Sequence, residues 1–364
     1  MSELKVDVVV PRADIRAQVA VPDGATLAVL GPNGSGKSSL LGAIAGTVPA
    51  TGSVRLGGTE LIDRPTHERR IGLLGQRSLL FPHLSVLDNV AFGPRSVTGR
   101  SRGNALGSRS AAGRSRGNAR EIAGEWLERL EASHWASRRP DQLSGGQAQR
   151  VALARALAAE PEVMLLDEPF AAIDVDAVDG LRDLVRRVVQ TTCIIVTHDL
   201  PDALTLADEV VVLESGRVVE SGATTEVLSR PRSLFGARLA GVNLVGGTLG
   251  RDRLEVGSTA ILGRSEGDAS GSGVAVFPPR AVALFPARPE GSPRNTWPIQ
   301  VETIRADGSG VIITGSHADL GRVSAEVTPS AVAELDLRVG ATVWFTIKAQ
   351  EVELLPRPDH PHRA

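Results

Sequence analysis

The chain has 364 residues, and its 42 acidic and 40 basic side chains leave a formal net charge of −2. This length predicts two or three domains. A near-neutral chain lacks the overall cationic field of a bulk DNA- or RNA-binding protein, so we expect no nucleic-acid partner. The single cysteine, Cys193, excludes an intrachain disulfide and a multi-cysteine metal site, and it favours a reducing compartment.

The sequence contains no recognisable signal peptide and no run of about 18 apolar residues of the kind that spans a membrane. We therefore expect a cytoplasmic protein. Three of its basic residues are lysines, namely Lys5, Lys37 and Lys348, and tyrosine is absent. A lysine kept in so arginine-rich a chain is a candidate functional residue.

The first two thirds of the chain show an α/β pattern. An apolar run over residues 25–30 leads through a glycine-rich turn into a helical segment over residues 37–45. Short apolar runs over residues 163–166 and 193–196 are each followed by polar residues, as in buried parallel strands. A crossover helix is predicted over residues 175–189. Sites in such folds lie at the carboxyl ends of the strands.

Two segments differ in composition from this pattern. The heptapeptide GRSRGNA occurs twice, at residues 99–105 and 113–119, and predicts a disordered basic insert over about residues 98–120. Contact of its arginines with anionic lipid or nucleic acid is the alternative. After Phe235, short alternating runs with glycine turns predict a second, β-rich domain over residues 236–364, which leaves residues 1–235 to the first domain.

Residues 31–38 match the phosphate-loop pattern G-x-x-x-x-G-K-[ST] between a predicted strand and a predicted helix. In such a loop the backbone N–H groups face a polyphosphate, the lysine reaches the terminal phosphates and the Ser38 hydroxyl holds Mg²⁺. The residues predicted to contact the nucleotide here are Gly31, Pro32, Asn33, Gly34, Ser35, Gly36, Lys37, Ser38 and Ser39.

Two further motifs belong to the same chemistry. The strand over residues 163–166 ends in Asp167 and Glu168, which we expect to orient Mg²⁺ and to polarise the attacking water, respectively. Residues 143–147 place Ser144 at a helix N-terminus, a second anion-binding end. One nucleotide rarely needs both ends from a single subunit, so we expect a dimer that holds ATP between opposing ends.

The ordered set resembles the ATP-binding subunits of ABC transporters across residues 25–200. The resemblance implies an α/β P-loop ATPase domain with a helical subdomain over about residues 77–150, acting as a head-to-tail homodimer. It places His198 at the γ-phosphate, Gln76 at the metal or attacking water, and Asp174 between the subunits. From the opposite subunit it brings the signature residues Ser144, Gly145, Gly146 and Gln147 to ATP, whereas Lys37, Ser38, Gln76, Asp167, Glu168 and His198 come from the first.

Residues 70–90 resemble the importer branch of this family. That resemblance implies an integral-membrane permease as partner, an extracytoplasmic solute-binding protein in the same system, and a location on the cytoplasmic face of the membrane. The family stacks adenine on an aromatic ring, yet residues 1–80 contain no Phe, Trp or Tyr. We expect Arg12 or a neighbouring aliphatic side chain to replace the ring, with loose nucleotide preference as the result.

Residues 290–356 resemble the small OB-like β-barrel modules, of the TOBE or Mop type, of molybdate-binding proteins. The resemblance implies an oxyanion site, for which the candidates are Ser292, Arg294, Asn295, Thr328, Ser330 and Lys348. For Arg294 and Lys348 the alternative is a solvated charge that protects a sheet edge. Together the two modules indicate an importer ATPase for molybdate first, and for sulfate or tungstate next.

Three alternatives stay open from the sequence. The same domain pair serves importers of polyamines, sugars, thiamine or iron. A soluble ABC protein acting on ribosomes or DNA is disfavoured, because the chain carries one phosphate loop and one signature where soluble relatives usually carry two. An oxyanion store or sensor conflicts with an intact Lys37, Glu168 and His198.

Overall fold

The computed structural model describes residues 3–94, 109–171, 173–265, 270–291 and 294–357. The chain divides into two compact units, Met1–Thr224 and Thr225–Ala364. The division lies eleven residues before the boundary predicted at residue 235. Strand Arg217–Ala223 pairs with Glu209–Glu214 of the first unit, and the chain leaves that unit directly after this pairing.

The first unit contains one mixed sheet. Its strands are β1 (Leu4–Val10), β2 (Ile15–Val21), β3 (Thr26–Leu30), β4 (Thr51–Leu56), β5 (Thr59–Glu60), β6 (Ile71–Leu74), β7 (Val163–Asp167), β8 (Thr192–Val196), β9 (Glu209–Glu214) and β10 (Arg217–Ala223). In the sheet they follow the order β5-β4-β1-β2-β10-β9-β3-β8-β7-β6. The run β9-β3-β8-β7-β6 is parallel, so the carboxyl ends of these strands lie at one edge.

Helices flank this sheet. They are α1 (Lys37–Ala45), α2 (Val86–Val90), α3 (Arg109–Arg129), α4 (Gly145–Leu157), α5 (Val175–Val188) and α6 (Leu200–Leu206). Short 3-10 helices cover Pro11–Ala13, Thr66–Glu68, Ser133–Trp135 and Pro140–Gln142. The predicted strands, the helix after the phosphate loop and the crossover helix are all confirmed. No described helix is both long and apolar enough to cross a membrane.

The basic insert differs from its prediction. Residues 98–108 lie outside the described residues, whereas residues 109–120, predicted to be disordered, form the first half of α3. The physical reason lies further along the helix, where Ala119, Ala123 and Leu127 are buried at helical spacing and anchor it to the fold. Arginine and alanine are good helix formers, so the helix extends N-terminally from this anchor.

The central strands are buried on both faces, which explains their uninterrupted apolar sequence. Residues 27–30 of β3 and 163–166 of β7 are at most 1% exposed. The amino end of α1 begins directly after the loop that follows β3, and the other end is held by Arg69. Its guanidinium donates to the carbonyl oxygens of Ala43 and Ile44 at 2.9 and 2.8 Å. These bonds fix the helix that carries the phosphate loop.

Glu60, on the short strand β5, is a pH-sensitive point of the same unit. Its carboxylate accepts hydrogen bonds from Ser53 Oγ at 2.6 Å and from the N–H groups of Val54 and Ile62 at 2.8 and 3.1 Å. Burial opposes the charged form, but these bonds, with one from Arg55, outweigh it and lower the pKa of Glu60 to about 2.

Because the folded-state pKa lies below the unfolded value, Glu60 contributes stability above about pH 4.5, and that contribution is lost as the pH falls toward 2. Glu60→Gln is expected to remove about 1 kcal/mol at pH 7, a value discounted for the partly exposed side chain, and to leave little difference from wild type near pH 2.5. Urea unfolding at the two pH values measures this, with the exposed Glu68→Gln as control. An equal loss at both pH values would contradict the prediction.

The second unit is β-rich, as predicted. Its strands are β11 (Asn243–Leu249), β12 (Arg253–Val256), β13 (Thr259–Leu262), β14 (Arg264–Ser265), β15 (Gly271–Phe277), β16 (Ala283–Phe285), β17 (Asn295–Asp307), β18 (Gly310–His317), β19 (Gly321–Val327), β20 (Thr342–Ile347) and β21 (Glu353–Pro356). The helices are α7 (Thr224–Ser229), α8 (Leu234–Leu239) and α9 (Pro329–Glu334), with 3-10 turns at Pro279–Ala281 and Ala349–Glu351.

Two sheets form in this unit, in the orders β13-β12-β11-β15-β21-β14 and β16-β20-β17-β18-β19. One apolar core lies between them. It includes Phe277 of the first sheet and Trp297 and Phe345 of the second, all at most 6% exposed.

Candidate functional site

The phosphate loop lies where β3 ends at the sheet edge. Gly31 has φ +152°, and a Cβ atom there would lie 2.1 Å from the carbonyl oxygen of Leu213 in β9. No side chain fits that space, so the loop packs directly against the neighbouring strand. The sequence pattern therefore has a steric cause in addition to its phosphate chemistry.

Lys37 is buried at the start of α1, as the pattern predicts. Its Nζ donates to the carbonyl oxygens of Gly31 and Pro32 at 2.8 and 2.9 Å. Burial lowers the pKa of Lys37, while the nearby carboxylates of Glu168 and Asp167 raise it. An ammonium group has three donors, and two are used by the loop. The third is available for a phosphate oxygen.

Ser38 and Asp167 meet across the site. The Ser38 hydroxyl donates to Asp167 Oδ1 at 3.0 Å. Burial raises the pKa of Asp167, and the hydrogen bond from Ser38 and the charge of Lys37 lower it. Hydroxyl and carboxylate oxygens, with the amide oxygen of Gln76 in the same cavity, are ligands that Mg²⁺ prefers. These residues fit Mg²⁺, although the described residues contain no cluster of three or more His, Cys, Asp or Glu side chains that could hold a metal.

Glu168 follows β7 in an unusual backbone conformation. Its φ is +46°, in the left-handed region that non-glycine residues seldom adopt. Its N–H donates to the carbonyl oxygen of Val196 at 2.9 Å, which ties the residue to the end of β8. His198 follows that strand, and its Nδ1 lies 3.7 Å from Glu168 Oε1. Backbone strain of this kind concentrates at functional sites.

One cavity of about 450 Å³ brings most of the predicted residues together. Its lining includes Asn33, Gly34, Gly36, Lys37, Ser38, Ser39, Gln76 and Glu168. Ser35 is buried within the loop. Gln76 follows β6 and is exposed, and the loop there is held by Gln149, whose Nε2 donates to the Gly75 carbonyl oxygen at 3.2 Å. Residues after β3, β6 and β7 thus line this cavity, and His198, after β8, lines a second cavity that shares Glu168 with it.

The signature residues lie elsewhere in the subunit. Ser144 caps α4: its Oγ accepts from the N–H of Gln147 at 3.3 Å, and Gln147 Oε1 accepts from the N–H of Ser144 at 3.0 Å. Gly145 begins the helix, and Ser144, Gly146 and Gln147 line a separate cavity of about 260 Å³. Within one subunit the two anion-binding ends are therefore in different cavities.

Asp174 and the residues expected to replace an aromatic ring at adenine lie beside these cavities. Asp174 is the N-cap residue of α5, yet its side chain makes no capping hydrogen bond and is exposed. It follows Ile173, which lines the signature cavity. Ala13, rather than an aromatic ring, lines the phosphate-loop cavity on the side of the 3-10 helix Pro11–Ala13, and Arg12 of that helix is exposed.

Sequence reasoning missed a group of buried polar residues behind His198. Arg182 of α5 and Asp202 of α6 form an ion pair with an N–O distance of 2.7 Å, and both are nearly inaccessible. Thr197, also buried, donates to Asp202 Oδ2 at 2.6 Å. One signal was available in the sequence: an arginine at position 182 interrupts the apolar face of the crossover helix.

The oxyanion candidates of the second unit do not form one cluster within the subunit. Asn295 is 1% exposed, and its amide accepts from the N–H of Leu262 and donates to the Leu262 carbonyl oxygen, at 2.7 and 2.8 Å. Both of its polar atoms bind the backbone of β13 within the subunit, and its role at an oxyanion stays a prediction. Ser292 lies outside the described residues.

The strand register separates the remaining candidates into two places, with Arg294 and Lys348 at one and Thr328 and Ser330 at the other. Asn295 pairs with Ile347, so Arg294 and Lys348 lie next to each other at one end of β17 and β20. Ala306 pairs with Val311, which pairs with the last residue of β19. Thr328, which follows β19, caps α9 and bonds Ser330 Oγ at 2.9 Å. The residue before Thr328, Val327, is level with Ala306, which is twelve positions along β17 from Arg294.

Comparison with known proteins extends these observations. A family model described as ABC transporter matches residues 16–171, and one described as TOBE domain matches residues 291–354. The molybdenum import ATP-binding protein ModC of Mycobacterium tuberculosis is 46% identical and covers 100% of this chain and 99% of its own. The sulfate/thiosulfate import ATP-binding protein CysA of Methylococcus capsulatus is 41% identical over 67% of this chain and 68% of its own.

A solved structure agrees with the first unit. The ATP-binding cassette MJ0796, in a dimeric post-hydrolysis state bound to ADP and Pi, has a TM-score of 0.51 at 29% identity and covers 62% of this chain and 99% of that chain. The predicted fold class, an α/β P-loop ATPase followed by a β-rich module, is confirmed. The chain therefore belongs to the ATP-binding proteins of ABC transporters, which are ATPases coupled to transport.

Proposed function

We propose that this ATPase powers an importer of molybdate. The observation that supports molybdate over sulfate is the extent of similarity: the molybdenum relative matches the whole chain, whereas the sulfate relative matches 67% of it. Molybdate and sulfate are both tetrahedral dianions, so a site for one admits the other to some degree, and sulfate is the competing solute in the test below.

Hydrolysis is assigned to the groups at the sheet edge. Glu168 accepts a proton from the attacking water as the water oxygen bonds to the γ-phosphorus, and the bond from phosphorus to the bridging oxygen breaks to release ADP. Lys37 and His198 bind the γ-phosphate oxygens, on which negative charge is concentrated. Ser38, Asp167 and Gln76 would hold Mg²⁺, which neutralises phosphate charge when bound.

The active form is a homodimer in this proposal. It is supported by the separation of the two cavities in one subunit, since Ser144 and Gly146 line a different cavity from Lys37 of their own chain. A head-to-tail partner brings the N-terminus of α4 to the γ-phosphate and closes the site. Asp174, exposed beside the signature cavity, is placed at the same interface.

The permease contact is assigned to the segment around Phe81. Leu79 and Phe92 are 74% and 47% exposed, and the rings of Phe81 and Phe92 are 4.7 Å apart. Arg155 donates to the carbonyl oxygens of Ser78 and Leu79 at 3.1 and 2.9 Å, which holds this apolar patch close to Gln76. An apolar patch beside the catalytic loop suits a membrane partner at the cytoplasmic face.

In the second unit we retain one part of the oxyanion hypothesis. Arg294 and Lys348 are exposed and adjacent, and two neighbouring cations suit a dianion. This pair has a regulatory or stabilising role in the proposal and no part in hydrolysis.

Transport in reconstituted vesicles tests the solute assignment. The chain is combined with its permease and solute-binding protein in proteoliposomes that contain ATP, and uptake of molybdate is measured against an excess of sulfate. We expect ATP-dependent molybdate uptake that a tenfold excess of sulfate reduces less than twofold, and no uptake with Glu168→Gln. Uptake of sulfate without molybdate would overturn the solute assignment and leave the ATPase assignment intact.

A further inference from the structure

A buried cluster of charged side chains lies directly behind the Glu168–His198 pair. We propose that Arg182 and Asp202 are positioning residues, which hold the turn that presents His198 and link that turn to helix α5. The inference rests on the role proposed above for His198 at the γ-phosphate. It adds two residues that contact neither the nucleotide cavity nor its phosphate loop.

Asp202 is the centre of the cluster. Its Oδ1 accepts two hydrogen bonds from Arg182, from Nε at 2.9 Å and from Nη2 at 2.7 Å. Its Oδ2 accepts the hydroxyl of Thr197 at 2.6 Å. Asp202 and Arg182 are 3% and 6% exposed, so water does not compete for these bonds. Both carboxylate oxygens of Asp202 are therefore used in holding other residues.

The cluster holds the residues immediately before and after His198 in the chain. Thr197, immediately before it, is 2% exposed and is fixed through its hydroxyl to Asp202. Asp199, immediately after it, donates its N–H to the same Thr197 oxygen at 3.0 Å, and its carboxylate lies 3.5 Å from Arg182 Nη2. The His198 side chain itself is 56% exposed, so the position of its imidazole depends on the backbone that these two neighbours hold.

Arg182 extends the link to the other side of the site. Its Nη1 donates to Asp179 Oδ1 at 2.5 Å within α5, and its guanidinium carbon lies 5.7 Å from the centre of the Phe170 ring. Phe170 follows Glu168 by two residues, and both line a cavity of about 130 Å³ together with His198 and Asp202. Helix α5 begins at Val175, directly after its N-cap residue Asp174, so a shift at that end of the helix is transmitted to His198 through Arg182.

A purely stabilising ion pair would behave differently. Buried ion pairs are often replaced by apolar residues of similar size without loss of stability. If Arg182 and Asp202 served stability alone, such a replacement would leave hydrolysis unchanged. If they position His198, the replacement keeps the fold and still lowers the rate.

The first measurement compares steady-state ATP hydrolysis by the full-length chain. Asp202→Asn and Arg182→Met are expected to lower kcat about 10- to 100-fold, as small displacements of catalytic groups do, with KM for ATP within about threefold of wild type. The matched control is Arg187→Met, an exposed position of the same helix, which should leave kcat unchanged.

Loss of Arg182 alone leaves the Asp202 carboxylate buried without its partner, which costs stability. The double variant Arg182→Met/Asp202→Leu removes both charges and is the second test. We expect it to unfold within a few degrees of wild type and to retain the lowered kcat. A folded double variant with wild-type kcat would overturn the inference.

A double-mutant cycle with His198 separates the two proposals. His198→Ala alone should be slow, and adding Asp202→Asn should slow it by less than twofold further, because the residue that Asp202 positions is then absent. Full activity of His198→Ala would refute the role proposed for His198. If His198→Ala is slow and the two substitutions lower kcat by independent factors that multiply in the double variant, the positioning role of Asp202 is refuted and the role of His198 stands.

Discussion

Glu168→Gln is expected to hydrolyse ATP about 10²- to 10⁴-fold more slowly than wild type, the range associated with loss of a general base. Glutamine occupies the same volume and keeps the backbone hydrogen bond to Val196, but its amide does not accept a proton from water. KM for ATP should change little, because the proposed site binds the nucleotide through Lys37 and the phosphate loop. Single-turnover hydrolysis measures the chemical step directly.

The same variant reports on the dimer. With hydrolysis blocked, ATP should hold two subunits together, and light scattering after gel filtration should give twice the monomer mass with ATP but not with ADP. Glu162→Gln, an exposed position paired with Arg70, is the matched control and should be indistinguishable from wild type. Hydrolysis within threefold of wild type by Glu168→Gln would refute its assignment as the base.

Arg69→Met is expected to destabilise the first unit by about 3 kcal/mol or more, because several buried carbonyl oxygens lose their donor at once. The guanidinium donates to Ala43, Ile44, Arg64 and Ile62, and the residue is 5% exposed. For a unit of this size the melting temperature should fall by about 6–12 °C. Calorimetry of the full chain measures it.

The neighbouring position provides the control. Arg70 is largely exposed and pairs with Glu162, so Arg70→Met should change stability by less than about 1 kcal/mol. ATP binding should also weaken in Arg69→Met, because Arg69 holds the helix that carries Lys37. Equal melting temperatures for the two variants would show that the carbonyl oxygens of α1 find other partners.

The positions of the candidate catalytic residues of the first unit were predictable, because their proposed chemistry requires particular residue types at fixed positions beside strands and helices. Gly31 follows β3, Lys37 begins α1 and Glu168 follows β7. The apolar pattern of each of these elements is clear in the sequence, so the sequence indicated both the residue and its position in the fold. The hydrogen bonds of Asn295 to Leu262 were not predictable, for the opposite reason. An amide in a β-rich module serves a ligand or a neighbouring backbone equally well, and the sequence does not distinguish them.

The arginine-rich composition helped to identify one important basic residue and concealed two others. Lys37 was singled out as one of three lysines, and the structure places it against the phosphate loop. Arg69 and Arg182 were not singled out, since an arginine in a chain with so many is unremarkable. Their importance comes from burial, and burial depends on which helices and strands pack around them.

By itself, the sequence determined the fold class, the ATP-binding elements and the order in which they lie along the chain, because local periodicity and motif spacing are properties of short segments. The tertiary structure alone decided which groups meet: the 3.7 Å approach of His198 to Glu168, the ion pair of Arg182 with Asp202, and the separation of Ser144 from Lys37. The two residues of each pair are between 20 and 107 positions apart in the sequence, and only the packing of α4, α5 and α6 on the sheet sets their distances.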